Sequence, residues 1–464
     1  MSIPPAKPLQ TNFTSSIIQP KPKPKPKPNL FNSISDSALR RFKIGTLLLF
    51  ILSYIYWMGI FEGYIDYIFP FTLGLIFLIE YLGKHNLQTF KSNTHQQLET
   101  SFFLSMTVFQ AVALSYFGFL GQLEIPQFLA LHGSFILYTL SRTNWLSQGH
   151  LGVLSWLDLW RGSVLHPFGQ FFLAFRVLTQ PFQRKKDIDQ QKHFRTQFTF
   201  ILISALLSLV LVIFVWSQLS QVSESFAQFT RSLTSIFTHF SLDFFNPAVS
   251  LFRILMCLPI MLWLYGLIAA SILKKRNKKT FDYSRFQEEL TQTRQFPSSA
   301  IYIILISLSL TYALFFGIGL NELTNLLDTS IKVSPQDAST VAVSGFWQLV
   351  RVSLLNFGVL IAFYIFSKEM PWNKKGTRIA LTILFVFASL FAAVASWKLF
   401  GIYIYLYGAT PLRLLSAWFV IVLMIWCLLT IARFYKAFQA IRWGIFFSLL
   451  SFTILLYLYP LLLG

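Results

Sequence analysis

Asp66, Glu80, His132, Arg253, Arg351 and Lys398 lie inside long apolar stretches of this chain. An ionisable group at membrane depth is costly, so each is a candidate for ion or proton handling or for contact with a polar ligand. Asp66 falls within one turn of the end of its stretch, where a carboxylate reaches water. Glu80 has Lys84 four residues on, the spacing of a helix-face ion pair. Arg253 and Lys398 stand near stretch ends, where long side chains snorkel. Arg351 is one turn in and shares a helical face with Gln348, while Asn356 lies farther round. These three suit interhelical hydrogen bonding, or a polar cavity if they converge. His132 has no second His or Cys at ligand spacing. Cys257 and Cys427 sit in apolar runs and read as small hydrophobes. With no CxxC pair and no clustered His, no metal is expected. The phosphate loop GxxxxGK[ST], the nucleophile elbow GxSxG and HExxH are all missing, and no cofactor is expected.

Two short motifs carry further candidates. Gly345-Phe346-Trp347-Gln348-Leu349 opens one apolar stretch, with Asn356 seven residues after Leu349. Tyr403, then Tyr407-Gly408-Ala409-Thr410-Pro411-Leu412-Arg413, separates two others. Tyr403 and Tyr407 suit a membrane interface, where aromatic rings anchor. Gly408 permits a turn that other residues resist. Thr410 can cap a helix starting near Pro411, a favoured first-turn residue. Arg413 then falls in the first turn, against the dipole's preference for anions. That placement predicts a partner, a lipid phosphate or a carboxylate. Structural anchoring and ligand contact are both open readings.

Composition names the elements that must position these residues. The chain has 464 residues, 55% of them hydrophobic and 12% charged. Soluble domains carry about 25% charged residues. So few charges cannot cover a soluble surface, which excludes a soluble enzyme, a coiled coil and a disordered protein. The expected fold is all-α, a polytopic membrane protein of about eleven transmembrane helices. The spans are placed at 44–61, 64–83, 101–120, 124–141, 197–216, 250–273, 299–319, 347–367, 378–398, 414–433 and 443–463. Each is close to the ~20 residues needed to cross the hydrocarbon core. The span 64–83 contains Asp66 and Glu80, and 124–141 contains His132. Residues 151–175 have Val153, Trp156, Leu157, Trp160 and Val164 at helical spacing, which predicts one amphipathic helix in the interface, or a re-entrant segment. Phe226, Phe229, Phe237 and Phe240 predict a second short helix within 217–249.

The 38 basic residues set the orientation. With the N-terminus inside, 32 of them fall in cytoplasmic segments and only Arg231, Lys332 and Arg413 in outer loops. That is the positive-inside pattern. The formal charge of +20 is therefore a topology signal, and no nucleic-acid partner is expected. The division is a disordered basic Lys-Pro cytoplasmic tail at 1–43, a four-helix membrane segment at 44–141, a cytoplasmic interfacial helix and basic linker at 142–196, and a seven-helix segment at 197–464. The Lys-Pro repeat of 21–28 suits extended polyproline II. It predicts docking on anionic headgroups at the cytoplasmic face, at roughly 1 kcal/mol per Lys near the surface. The C-terminus is expected outside.

The two motifs together resemble a bacterial family of multi-pass membrane proteins catalogued only as a domain of unknown function, from the paired four-thousand-series families. The resemblance runs from about Leu151 to the C-terminus. It implies a plasma-membrane location and no activity, substrate or catalytic residue. This chain departs from the pattern in three places. Val343-Ser344 stands where relatives often have a base, Lys398 where Arg is common, and the sequence stops at Gly464 without the hydrophilic outer tail of some relatives. Three classes of function stay open: a transporter or permease-like protein (or its membrane subunit), a sensory or scaffolding protein of envelope regulation, and an intramembrane transferase acting on lipid-linked substrate. Missing motifs and short outer loops count against the enzyme. A transporter predicts that Gln348, Arg351 and Asn356 converge on a cavity. An enzyme predicts Asp66 or Glu80 in a lipid-accessible groove.

Overall fold

In hydrocarbon every backbone amide must be satisfied within its own segment, which leaves long apolar runs the choice of helix. A computed structural model describes residues 35–84, 94–180, 247–273, 283–329 and 346–463. The elements are α1 (Asp36–Phe61), α2 (Ile68–Gly83), α3 (Thr94–Phe117), α4 (Glu124–Arg142), α5 (Ser155–Trp160), α6 (His166–Gly169), α7 (Leu173–Thr179) and α8 (Pro247–Leu273). They continue as α9 (Tyr283–Thr293), α10 (Ser298–Thr329), α11 (Phe346–Phe366), α12 (Lys375–Trp397), α13 (Tyr405–Tyr407), α14 (Pro411–Tyr435) and α15 (Ala440–Leu463). No strand is present among the described residues. Nine helical segments among them are long and apolar enough to cross a membrane, including Ile65–Gly83. The protein is an all-α, multi-pass membrane protein. The expected span 124–141 is a helix, α4, but it is not among the nine, and it carries Gln127, His132, Ser134, Thr139 and Ser141. The span 197–216, the outer helix of 217–249 and the Lys-Pro repeat lie outside the described residues.

Local chemistry sets several boundaries. Ser35 caps α1 by accepting from Ala38 N at 3.3 Å, and Asp36 sits in the first turn, where the dipole favours an acid. Gly63 closes the α1–α2 hairpin at φ +84°, a conformation that L side chains resist. A Cβ there would meet nothing within 4 Å, whereas one on Gly59 would meet Ile68.

The region expected as one interfacial helix is broken. A π turn at Arg161–Leu165 separates α5 from α6, and α7 follows. Pro167 is the cause: it has no N–H to return to the carbonyl of Ser163. Leu154, Leu173, Ala174 and Val177 of this segment are buried, while Trp156, Trp160, Leu165 and Phe168 are exposed.

Two main cores hold the bundle. One joins α1, α2, α3, α4, α7 and α8 around Leu49, Ile79, Phe103, Tyr138 and Ile268. The other joins α10, α11, α12 and α14 around Leu305, Phe385 and Cys427. Helix α15 bridges them. It packs on α14 and on α3, stacks Phe446 on Phe102 at 3.9 Å, and places Thr453 Oγ1 3.0 Å from Gln110 Nε2. At one end of the bundle, the basic end, α1, α12 and α15 start and α2, α4, α8 and α14 stop.

Candidate functional site

The candidates from the sequence separate. Asn356 is fully buried between α11 and α10, where its Oδ1 accepts from Tyr312 OH at 2.9 Å. Gln348 and Arg351 are exposed on the same helix, and Phe346 is buried. The three polar groups do not converge. Gly345 lies outside the described residues. Asp66 sits exposed in a short 3-10 turn before α2.

Glu80 does not pair with Lys84. Its carboxylate takes a two-pronged contact from Arg142, with Nε 2.6 Å from Oε1 and Nη2 2.5 Å from Oε2, and Tyr138 OH donates at 3.3 Å. The planar guanidinium meets both oxygens at once, which an ammonium cannot do. Arg253 pairs with Glu62 at 2.5 Å across the opposite end of the bundle. His132 Nδ1 lies 2.7 Å from Phe128 O and Nε2 2.9 Å from Tyr56 OH. The first contact requires a proton on Nδ1, so Nε2 accepts from the tyrosine. Both ring nitrogens are thus occupied.

At the second motif no carboxylate among the described residues pairs with Arg413. Its Nη1 donates to the carbonyls of Tyr407 at 2.9 Å and Gly408 at 2.7 Å. The guanidinium lies 4.2 Å from the Tyr403 ring centroid and 5.6 Å from that of Tyr407. Gly408 supplies φ +74° for the turn. Thr410 occupies the N-cap position of α14 and Pro411 follows, but the threonine side chain makes no capping bond. Arg413 ties the turn together instead. Arg413→Ala is expected to destabilise the protein by about 2 kcal/mol, from charged hydrogen bonds and a cation–π contact. Thermal unfolding of the inserted protein checks this, and an unchanged midpoint would assign Arg413 to a ligand instead.

What the structure adds is a cleft of about 660 Å³ between the two cores. Its walls are α4 through Leu129, Gly133 and Leu137, α14 through Leu415, Trp418 and Trp426, and α15 through Ile445, Leu449 and Phe452. Of its three serine hydroxyls, those of Ser134 and Ser448 are committed. Ser134 donates to Gln110 or Ala130, while Ser448 donates to Gly444 O and accepts from Trp426 Nε1 at 3.0 Å. No acid or base lines the cleft. Its volume falls inside the range of about 300–1,000 Å³ typical of ligand pockets.

A family model described as "Domain of unknown function (DUF4153)" matches residues 102–462. The chain belongs to this family. The DUF4153 region begins well before Leu151, inside α3, and takes in every wall of the cleft and both motifs. No curated protein and no solved structure matches the chain.

Beside the DUF4153 cleft, a buried ionic layer at the basic end escaped the sequence reading. Glu99 of α3 is fully buried, 3.2 Å from Arg442 Nε of α15, and accepts from Leu151 N at 2.6 Å. Asp158, also buried, accepts from Ser147 N and Oγ, and Arg161 Nη1 donates to Ser147 Oγ at 2.8 Å. The span expected at 101–120 begins earlier in the structure. Helix α3 starts at Thr94, so Glu99 belongs to the helix.

Proposed function

We propose that this protein is permease-like, or the membrane subunit of a permease, and that its solute is lipidic, with an apolar chain occupying the cleft between α4, α14 and α15. The cleft carries this reading. Its walls on α14 and α15 belong to segments long and apolar enough to cross a membrane, so acyl chains are what surrounds its mouth. Its lining is apolar apart from three serines, two of them committed, so it offers dispersion and area burial and no charged group to a ligand. A polar solute crossing at Gln348, Arg351 and Asn356 is disfavoured, because the first two are exposed and the third is bonded to Tyr312. A transferase reading finds no acid or base in the cleft, and Glu80 is held by Arg142. The base distribution supports a plasma-membrane orientation with the basic end and N-terminus cytoplasmic and the C-terminus outside.

Photolabelling in membranes with a phospholipid carrying a diazirine on its acyl chain tests the cleft. Label is expected to concentrate on 129–137 and 415–426. A Cβ on Gly133 meets nothing within 4 Å, so Gly133→Phe fills the cleft without a clash. Displacing two methylenes' worth of buried chain costs about 1.6 kcal/mol, so labelling should fall about fifteenfold. Equal labelling of other exposed apolar positions, such as Ile303, Leu314 and Leu355, would remove the basis of the proposal.

A further inference from the structure

A second pocket lies at the basic end, and the lipid cleft shares no residue with it. About 360 Å³ in volume, it is an open pocket bordered by the turn before α12, the start of α12 and the last turn of α14. Arg378, Arg433 and Lys436 line it together with Trp372, Asn373 and Tyr435, and no acid does. The three bases have no carboxylate within ion-pair distance among the described residues. The one acid of the α11–α12 connection, Glu369, is taken by Lys374 at 3.2 Å.

Aromatic rings hold two of the bases in place. The Arg378 guanidinium lies 5.2 Å from the centroid of Tyr435, and that of Arg433 lies 5.7 Å from Trp372. Tyr435 is itself fixed by a 3.0 Å contact between its hydroxyl and Thr382 Oγ1. A ring face orients a guanidinium without neutralising it, and Arg433 Nη1 makes only a long 3.5 Å contact to Lys436 O. Nε of Arg378 is buried and has no hydrogen-bond partner. An unanswered donor there, beside two further cations, is set for an oxyanion.

We propose that this pocket binds the phosphate of an anionic phospholipid headgroup. Two membrane-crossing segments, Lys375–Gly401 and Pro411–Tyr435, begin and end at the pocket, which puts it at headgroup level. Trp372 and Tyr435 are the amphipathic rings that settle at that level. The site goes beyond the cleft reading and does not rest on it. Gly133→Phe and the variants below address different residues, so either idea can fail alone.

The experiment is native mass spectrometry of the full-length chain in detergent, incubated with equal amounts of phosphatidylglycerol and phosphatidylcholine. The wild type is expected to retain phosphatidylglycerol preferentially. R378Q/R433Q removes two charges near the surface, so that preference should fall about thirty-fold. R378K/R433K keeps the charge and should keep most of the preference. Should R378Q/R433Q fail to fold, K436Q changes an exposed residue and is expected to lower the preference about fivefold. Three results overturn the proposal: no preference in the wild type, an unchanged preference in a folded R378Q/R433Q, or displacement of phosphatidylglycerol by millimolar inorganic phosphate, which would assign the pocket to a free anion.

Discussion

Arg442→Met will destabilise the protein by about 3–5 kcal/mol, the cost of stranding a buried charge. The charge left behind is Glu99. Its side chain is 0% exposed and that of Arg442 is 5% exposed, so water cannot take over the lost contact. Oε1 keeps the Leu151 N–H, and Oε2 has no hydrogen-bond partner among the described residues. Methionine matches the bulk of the arginine stem and its packing near Phe446, so packing loss is minor. The double variant E99M/R442M should recover most of the loss, because a buried pair replaced by apolar groups of similar size is often neutral. Thermal unfolding of both variants in one detergent decides the matter. A loss below about 1 kcal/mol for Arg442→Met would show that Glu99 is not a stranded buried charge. The pair also joins α3 to α15, the helix that links the two cores, so its loss should loosen the cleft walls as well.

The helices were legible because their signal is local: an uninterrupted apolar run needs no partner to declare itself. Partners were not legible. Lys84 looked right for Glu80 by spacing along one helix, yet Arg142, on the next but one, offers two donors in one plane. Arg413 was read as needing an anion. Its partners were within the quoted motif all along, as carbonyls and ring faces that sequence letters do not display. Thr410 had the right type and position for a cap, but the fold left its side chain unused. Glu99 was missed through a boundary error of seven residues, since ends are set by capping and packing rather than by hydropathy. The cleft needs α4, α14 and α15 side by side, and no periodicity within any of them specifies that neighbourhood.

Gly266→Ala will destabilise the protein, although the same change in a free helix face stabilises it. Alanine in a helix interior ordinarily gains about 0.5–1 kcal/mol over glycine. At Gly266 of α8, however, a Cβ would stand 2.5 Å from Pro167 O and 2.9 Å from Pro167 Cα. These are backbone atoms and cannot swing aside as a side chain would. They belong to α6, which the neighbouring contacts pin against α8. Trp263 Nε1 donates to Ser163 O at 3.1 Å, the carbonyl that Pro167 cannot serve. Ser271 Oγ of α8 lies 3.4 Å from His166 Nδ1 of α6. Moving α6 away to admit a methyl strains both bonds, so Gly266→Ala should cost about 1–3 kcal/mol net and Gly266→Leu more. Gly358, inside α11, is the control: a Cβ there meets nothing within 4 Å, so Gly358→Ala should raise the unfolding midpoint. Opposite signs at the two glycines would establish that α8 and the broken segment touch backbone to backbone. A stabilising Gly266→Ala would show that the segment is not seated there. The expected asymmetry follows from one residue: Pro167 breaks the helix, frees the Ser163 carbonyl for Trp263, and brings its own carbonyl against the only residue type that leaves room for it.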